Sequence, residues 1–384
     1  MKKVYGKVKH YDWGGFTFLP NLLRLEHPDP LPHAEYWLGT HSLGPATVQG
    51  NEMHGLKEHL VEQNLPDLSF LFKVLDVRKV LSIQAHPDQH LAKQGFDQEN
   101  RRGIPLDAPN RTFKDENHKP ELMVALSDFW LLQGFQKDDF IKKRMLAIPE
   151  LEPLVEVIDN KGLKRFCAYI FEASQEYINS ILKPLGRRLI PKYEQGELRK
   201  SQIDFWSAQA FMTHNRKGFC DRGILLLYMM NLVKLSEGQA VYQYPGLLHA
   251  YLEGQNVECM AASDNVVRAG LTQKHIDIDA FMQIVDFSSG KPQIIEPLPT
   301  EQLNVYSYEC PSDAFQLSRI EVGPEPILIR GSQSSIWMAI RGNGIIRSKI
   351  EYEFEQGDAF FSAPDEDIFL ESRSDTLLFR ATST

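Results

Sequence analysis

What most constrains this chain is a change of periodicity, from short strand-length apolar runs to a helical repeat and back. Up to about residue 130 the runs are brief and broken by Pro, Gly, Asn and Asp, as in Phe70-Leu-Phe-Lys-Val-Leu and Val80-Leu-Ser-Ile-Gln-Ala. Such spacing predicts an all-β sandwich or barrel. Then Leu163, Phe166, Cys167, Ile170, Phe171, Ser174, Tyr177, Ile178, Ile181 and Leu182 recur at three- and four-residue intervals, and Pro184 closes the pattern. This predicts one amphipathic helix. A second is expected over Ile203 to Phe211, and a third, more apolar, over Arg222 to Leu235. From about residue 301 the β pattern resumes in Phe315-Gln-Leu-Ser-Arg-Ile-Glu-Val, Ser335-Ile-Trp-Met-Ala-Ile and Asp375-Thr-Leu-Leu-Phe-Arg-Ala. The expected layout is a β domain from 1–130 plus 218–300, a helical insertion at 131–217, and a second β domain at 301–384.

An internal echo suggests that the β unit occurs twice. Gly238-Gln-Ala-Val-Tyr-Gln-Tyr-Pro245 and Gly357-Asp-Ala-Phe-Phe-Ser-Ala-Pro364 share a glycine-to-proline interval of seven. In each, glycine opens a turn, a short strand follows and proline closes it. Four residues past the proline the first copy carries His249 and the second Ile368, so the second is expected to be a metal-free jelly roll. Two common turn residues falling at equal spacing by chance is the plainer alternative.

At 384 residues the chain can hold two or three cores. A formal charge of −9 without any basic block argues against a nucleic-acid partner, so an anionic ligand needs a local Lys/Arg cluster. Cys167, Cys220, Cys259 and Cys310 lie far apart with no Cys-x-x-Cys, which fits reduced thiols in a cytoplasm. The opening Met1-Lys-Lys-Val-Tyr-Gly lacks the apolar run of a signal peptide. The longest apolar stretch, Ile224 to Val233, is too short to span a bilayer. A cytoplasmic protein without a membrane partner is expected.

Four scattered residues have the chemistry of a metal site. Gln84 and His86 stand two apart in a strand-like stretch, so both side chains leave one face. Glu121 follows a proline that sets the entry to an extended segment, and His249 opens Gly-Leu-Leu-His-Ala-Tyr-Leu. Two imidazoles, a carboxylate and an amide oxygen would leave a divalent ion with residual positive charge. Zinc fits such a set best, although the amide oxygen also suits harder cations. Taken singly, Glu121 reads as a solvated residue and Gln84-x-His86 as a hydrogen-bonded pair. Downstream, His249 and Tyr251 alternate to one face, Gly254 is expected to turn the chain, and Val257-Glu-Cys-Met returns it with Glu258 on one face. A loop with Asp264, the embedded Arg268 and then Lys274 follows. Arg268 is either functional or a structural ion pair with Asp264 or Glu258, and Tyr251 is either functional or core. His41, His90 and His118 read as structural or surface residues.

These stretches resemble type I phosphomannose isomerases of the cupin superfamily. Tyr11-Asp-Trp-Gly14 and Ala34-Glu-Tyr-Trp-Leu-Gly-Thr-His41 match that family's opening motifs. Ser82-Ile-Gln-Ala-His-Pro-Asp88, Asn117-His-Lys-Pro-Glu121 and His249-Ala-Tyr-Leu252 match its metal-bearing ones, and Glu258 to Thr272 its active-site signature. Leu248 departs from the proline that many relatives carry there. The resemblance implies a mainly β fold with two cupin-like jelly-roll domains and an inserted all-α domain. It implies one zinc per chain on Gln84, His86, Glu121 and His249, with Arg268 catalytic and Ser82 and Lys274 near a substrate phosphate. The reaction it implies interconverts mannose 6-phosphate and fructose 6-phosphate, with Lys119, Glu258 and Asp264 as candidate proton carriers and Tyr251 beside them. The expected partner is this sugar phosphate alone, taken up by a monomer. A different metal-dependent cupin enzyme, or a non-enzymatic sugar-binding cupin, are the competing readings.

Overall fold

The computed structural model describes residues 1–50, 54–216, 218–323 and 325–384, without the side chains of 159–161. It is mainly β, with antiparallel sheets and a helical region between them. One sheet follows the order Met230–Leu235, Phe129–Phe135, His249–Ala261, Phe70–Val77, Glu35–Leu38, Lys7–Lys9, with Glu121–Ala125, Ala240–Gln243, Ile83–Ala85 and Val267–Gly270 paired off that path. A second sheet is built on Phe315–Val322, Thr376–Ser383, Ser335–Arg341 and Ala359–Ser362, and a four-stranded sheet lies over it.

Strand alternation decides which side chains face inward. Ile83 and Ala85, Leu248, Ala250 and Leu252, and Val267 and Ala269 all join the large core made with the helices. The helical region therefore covers the outer face of these strands. Gln84, His249, Tyr251 and Arg268, at the alternate positions, turn to the opposite face. On the neighbouring strands Phe70, Phe72, Val74, Leu122, Val124, Val257 and Cys259 pack against Phe315, Leu317, Ile336, Phe361 and Phe379 of the second sheet. Lys73, Met123 and Glu258 are left facing the same interior as His249.

Several expectations need correction. The run from Arg222 to Leu235 is a short helix, Gly223–Leu227, followed by the strand Met230–Leu235 paired with Phe129–Phe135. A short apolar run is ambiguous by periodicity, and here sheet pairing claims its second half. The single helix expected to stop at Pro184 is two, Val155–Glu172 and Gln175–Glu194. Ser174 accepts from the Tyr177 amide at 3.2 Å as an N-cap, which starts the second helix. That helix runs through Pro184 because Ile181, Leu182, Leu185 and Leu189 are buried along it, outweighing one lost backbone bond.

Several strands cross the expected boundaries. Phe129–Phe135 carries the first sheet past residue 131, and Lys2–Tyr5 pairs with Ala359–Ser362 in the second sheet. Gly254 does not turn the chain: His249–Ala261 is one continuous strand. With φ +133° and Phe129 too close for a Cβ, Gly254 marks where this strand exchanges one set of partners for another. The segment around Arg268, expected as a loop, is the strand Val267–Gly270 paired with Ile83–Ala85.

Candidate metal centre

Across adjacent strands Arg268 stands opposite Gln84, and Gln84 opposite His249. Directly opposed residues share a face, so the three form one row. His86, one step past the end of its strand, and Glu121, opening the next, complete the cluster. His86 Nε2 lies 3.4 Å from Glu121 Oε2, and His249 Nε2 lies 3.6 Å from the same oxygen. All three side chains are buried, and their ligand atoms fall within 4.8 Å of one another.

The two histidines are oriented alike. His86 Nδ1 donates to the carbonyl of Asn265 at 2.8 Å, and His249 Nδ1 to the carbonyl of Leu247 at 2.9 Å. That arrangement leaves each Nε2 with a lone pair, buried and without a hydrogen-bond partner. Two orphaned imidazole nitrogens converging on one carboxylate fit a divalent ion of the zinc class. Burial, reinforced by His86, pushes His249 down to about 4 against the pull of Glu121, so the ring is neutral at neutral pH. Burial opposes ionisation of Glu121, but His86, Lys119 and His249 outweigh it and hold its carboxyl well below the usual range. Lys119 Nζ sits 3.2 Å from Glu121 Oε1.

Around this cluster lies a buried charge network. Glu258 Oε1 is 3.1 Å from Lys73 Nζ, and Glu258 Oε2 accepts from the Tyr251 hydroxyl at 2.7 Å. The bend at Gly254 is what lets Tyr251 and Glu258, on one strand, meet. Glu35 adds a second carboxylate 4.0 Å from Lys73 and accepts from the Trp37 indole. Burial raises the Glu258 carboxyl, with Lys73 opposing and Glu121 adding to the rise. Removing either partner of such a pair leaves an uncompensated charge, at a cost of about 3–5 kcal/mol.

Arg268 behaves differently. Asp264 is engaged by His41 at 3.3 Å and Glu258 by Lys73, so the structural ion pair that competed with a functional role for Arg268 is not formed. Among the described residues no acid pairs with Arg268, and burial alone lowers its pKa. Lys274 is exposed nearby, lowered by partial burial and then by the positive charge of Arg268. Ser82 directly precedes the strand Ile83–Ala85. His41 pairs with Asp264 and His118 with Asp313, while His90 is exposed on the helix Gln89–Arg101.

Sequence reasoning passed over Lys73, Glu35 and Asn265. Lys73 had a signal: it is the lone lysine of an apolar eight-residue strand whose every position is buried. Asn265 is fully buried and accepts from the Lys114 and Asp115 amides while donating to the carbonyls of Asp115 and Asn117. It thereby locks the carbonyl that orients His86. No periodicity or spacing marks such a residue.

Comparison with known proteins points to one family. Residues 1–138 match the family model of the phosphomannose isomerase type I catalytic domain. The mannose-6-phosphate isomerase of Escherichia coli (strain K12) is 29% identical over 384 residues, covering 95% of each chain. Mannose-6-phosphate isomerase 2 of Arabidopsis thaliana is 30% identical over 420 residues, covering 97% of this chain and 91% of the relative. The solved mannose 6-phosphate isomerase from Salmonella typhimurium, bound to fructose 6-phosphate and zinc, superimposes with a TM-score of 0.86 at 28% identity, over 100% of this chain and 99% of that one. With relatives this similar along nearly their whole length, the chain belongs to the type I phosphomannose isomerase family.

Proposed function

We propose that the chain interconverts mannose 6-phosphate and fructose 6-phosphate, using one zinc ion held by Gln84, His86, Glu121 and His249. The observation that carries this reading is the pair of buried, unpartnered Nε2 atoms facing Glu121, in a chain of this family. When bound, the ion supplies Lewis acidity for a hydroxyl or carbonyl oxygen of the sugar.

The isomerisation removes a proton from C2 of the aldose, or C1 of the ketose, and returns it to the other carbon through a cis-enediolate. Arg268 carries a positive charge with no acid paired to it among the described residues, and about two strand spacings, roughly 10 Å, separate it from His249. A cation so placed is free to stabilise oxygen charge as it develops, and one preorganised donor contributes about 3–4 kcal/mol, or ~10²–10³ in rate. Among the candidate proton carriers Glu258 suits best. A base works best with a pKa near the operating pH, and burial moves Glu258 in that direction. Burial raises Asp264 too, but His41 outweighs it and leaves that carboxyl lowered, while Lys119 is held on Glu121. Tyr251 and Lys73 fix the two oxygens of Glu258. The phosphate falls to Lys274 and Ser82, with Arg268 and Lys114 adding positive potential at Lys274.

In the same reading the two β regions are cupin-like jelly rolls, of which only the one that holds His86, Glu121 and His249 carries the metal. The enzyme is a cytoplasmic monomer supplying mannose 6-phosphate for GDP-mannose synthesis or fructose 6-phosphate for glycolysis. A coupled assay that follows fructose 6-phosphate formed from mannose 6-phosphate tests the reaction. Turnover that is lost on chelation and restored by zinc is expected; its absence in zinc-loaded protein overturns the assignment.

A further inference from the structure

A second group of metal-binding side chains lies at the edge of the second sheet, outside the sheet that holds the centre described above. His54, His59 and Glu62 fall within nine residues of sequence, His54 on the short strand His54–Gly55 and the other two on the helix Leu56–Glu62. Positions three apart on a helix share a face, so His59 and Glu62 point the same way, toward the strand that precedes them. The candidate ligand atoms of all three lie within 4.8 Å of one another. His54 Nε2 is 3.7 Å from Glu62 Oε2, too far for a hydrogen bond, and this nitrogen is buried without a partner. The two imidazole rings meet edge to face with centroids 5.6 Å apart.

We infer that His54, His59 and Glu62 form a second divalent-cation site of the zinc class, independent of the catalytic centre. Two imidazoles and a carboxylate are the donor set that zinc, cobalt and nickel favour, and a fourth position remains for water. Closing the ligands to bonding distance requires small rotations, which the half-exposed His54 and exposed Glu62 can make; His59, packed edge-on to Phe361, is the fixed member. Lys2 and the amino terminus add positive potential at His59, although Glu366 pairs with the latter. The site therefore binds more weakly than the buried one. Its location gives it a structural consequence. The strand His54–Gly55 pairs with Thr47–Val48, which pairs with Lys2–Tyr5, which in turn pairs with Ala359–Ser362. An ion here clamps the outer edge of that sheet to the helix beside it.

The test is a zinc count on full-length protein dialysed against buffers of fixed free zinc from nanomolar to micromolar. Two equivalents per chain are expected, the second filling at higher zinc together with a rise in melting temperature, since an ion that binds only the folded form stabilises it. His54→Ala and Glu62→Gln, at a half-exposed and an exposed position, should each lose the second equivalent and the added stabilisation while keeping the first equivalent and isomerase turnover. His249→Ala should do the reverse, which separates this site from the catalytic one. A single equivalent in the unaltered protein, or a second equivalent that persists in both His54→Ala and Glu62→Gln, overturns the inference.

Discussion

The segments 238–253 and 357–372 run through the same local geometry to different ends. Gly238 and Gly357 adopt nearly the same left-handed backbone, φ +88° and +86°. Each leads into a four-residue buried strand, Ala240–Gln243 and Ala359–Ser362. After the closing proline the next strands begin at His249 and Ile368. There the likeness ends. His249 turns an unpartnered nitrogen toward His86 and Glu121, while Ile368 is fully buried among Ile329, Phe354, Phe360 and Leu370. Turn chemistry shapes the strand, but the residue at its mouth decides whether the interior holds charge or packs hydrocarbon.

The sharpest way to break the contrast is to make the first segment resemble the second. His249→Ile is expected to abolish tight zinc binding and reduce turnover by several orders of magnitude while the protein still folds; a zinc count and a coupled assay read both. Full zinc occupancy in that variant would remove His249 from the ligand set. Next in size is Arg268→Ala, expected to keep its zinc while kcat drops by ~10²–10³. Unchanged turnover would exclude Arg268 from the chemistry. Asn265→Ala should act one step removed, through His86. Loss of the carbonyl's anchorage is expected to weaken zinc affinity by about 10–100-fold, measured by competition with a chelator.

A pH series on the metal-free protein sharpens the comparison in another way. The unfolded chain protonates His249 near 6.5, whereas burial pushes the folded value down to about 4. More protons bind the unfolded state in that window, so stability falls as pH drops from about 6.5 to 4 and this contribution levels off below. Urea unfolding should show the slope, and His249→Ile should flatten it; an equal slope in both would assign it elsewhere. The smallest effect is on the other side of the contrast. Ile368→Val should cost about 0.5–1.5 kcal/mol in urea unfolding and leave turnover untouched, because it removes one buried methylene far from the chemistry.

Much of the site was legible one residue at a time. The alternation that sends Gln84 and His86 to one face, and His249 and Tyr251 to one face, is a property of extended backbone, and the matching motifs supplied Glu121 and Arg268. The strands at Phe315–Val322 and Ser335–Arg341 fall where their patterns place them. The misreadings share a physical cause. Met230–Leu235 became a strand because Phe129–Phe135 was there to pair with it, and Lys2–Tyr5 joined a sheet more than 350 residues away along the chain. Pro184 stayed inside its helix because the neighbouring leucines had a core to enter. In each case a partner distant in sequence outweighed the local preference.

Composition and spacing alone determined a mainly β protein interrupted by helices, acidic overall, with amide, imidazole and carboxylate residues of the types that hold a metal. Only the tertiary structure decided that Asp264 and Glu258 are engaged by His41 and Lys73 and not by Arg268. It alone bent the strand at Gly254 so that Tyr251 meets Glu258, and set the Asn265 carbonyl against His86. Local chemistry is written along the chain, but which charge is neutralised by which depends on distances that exist only after distant strands have paired.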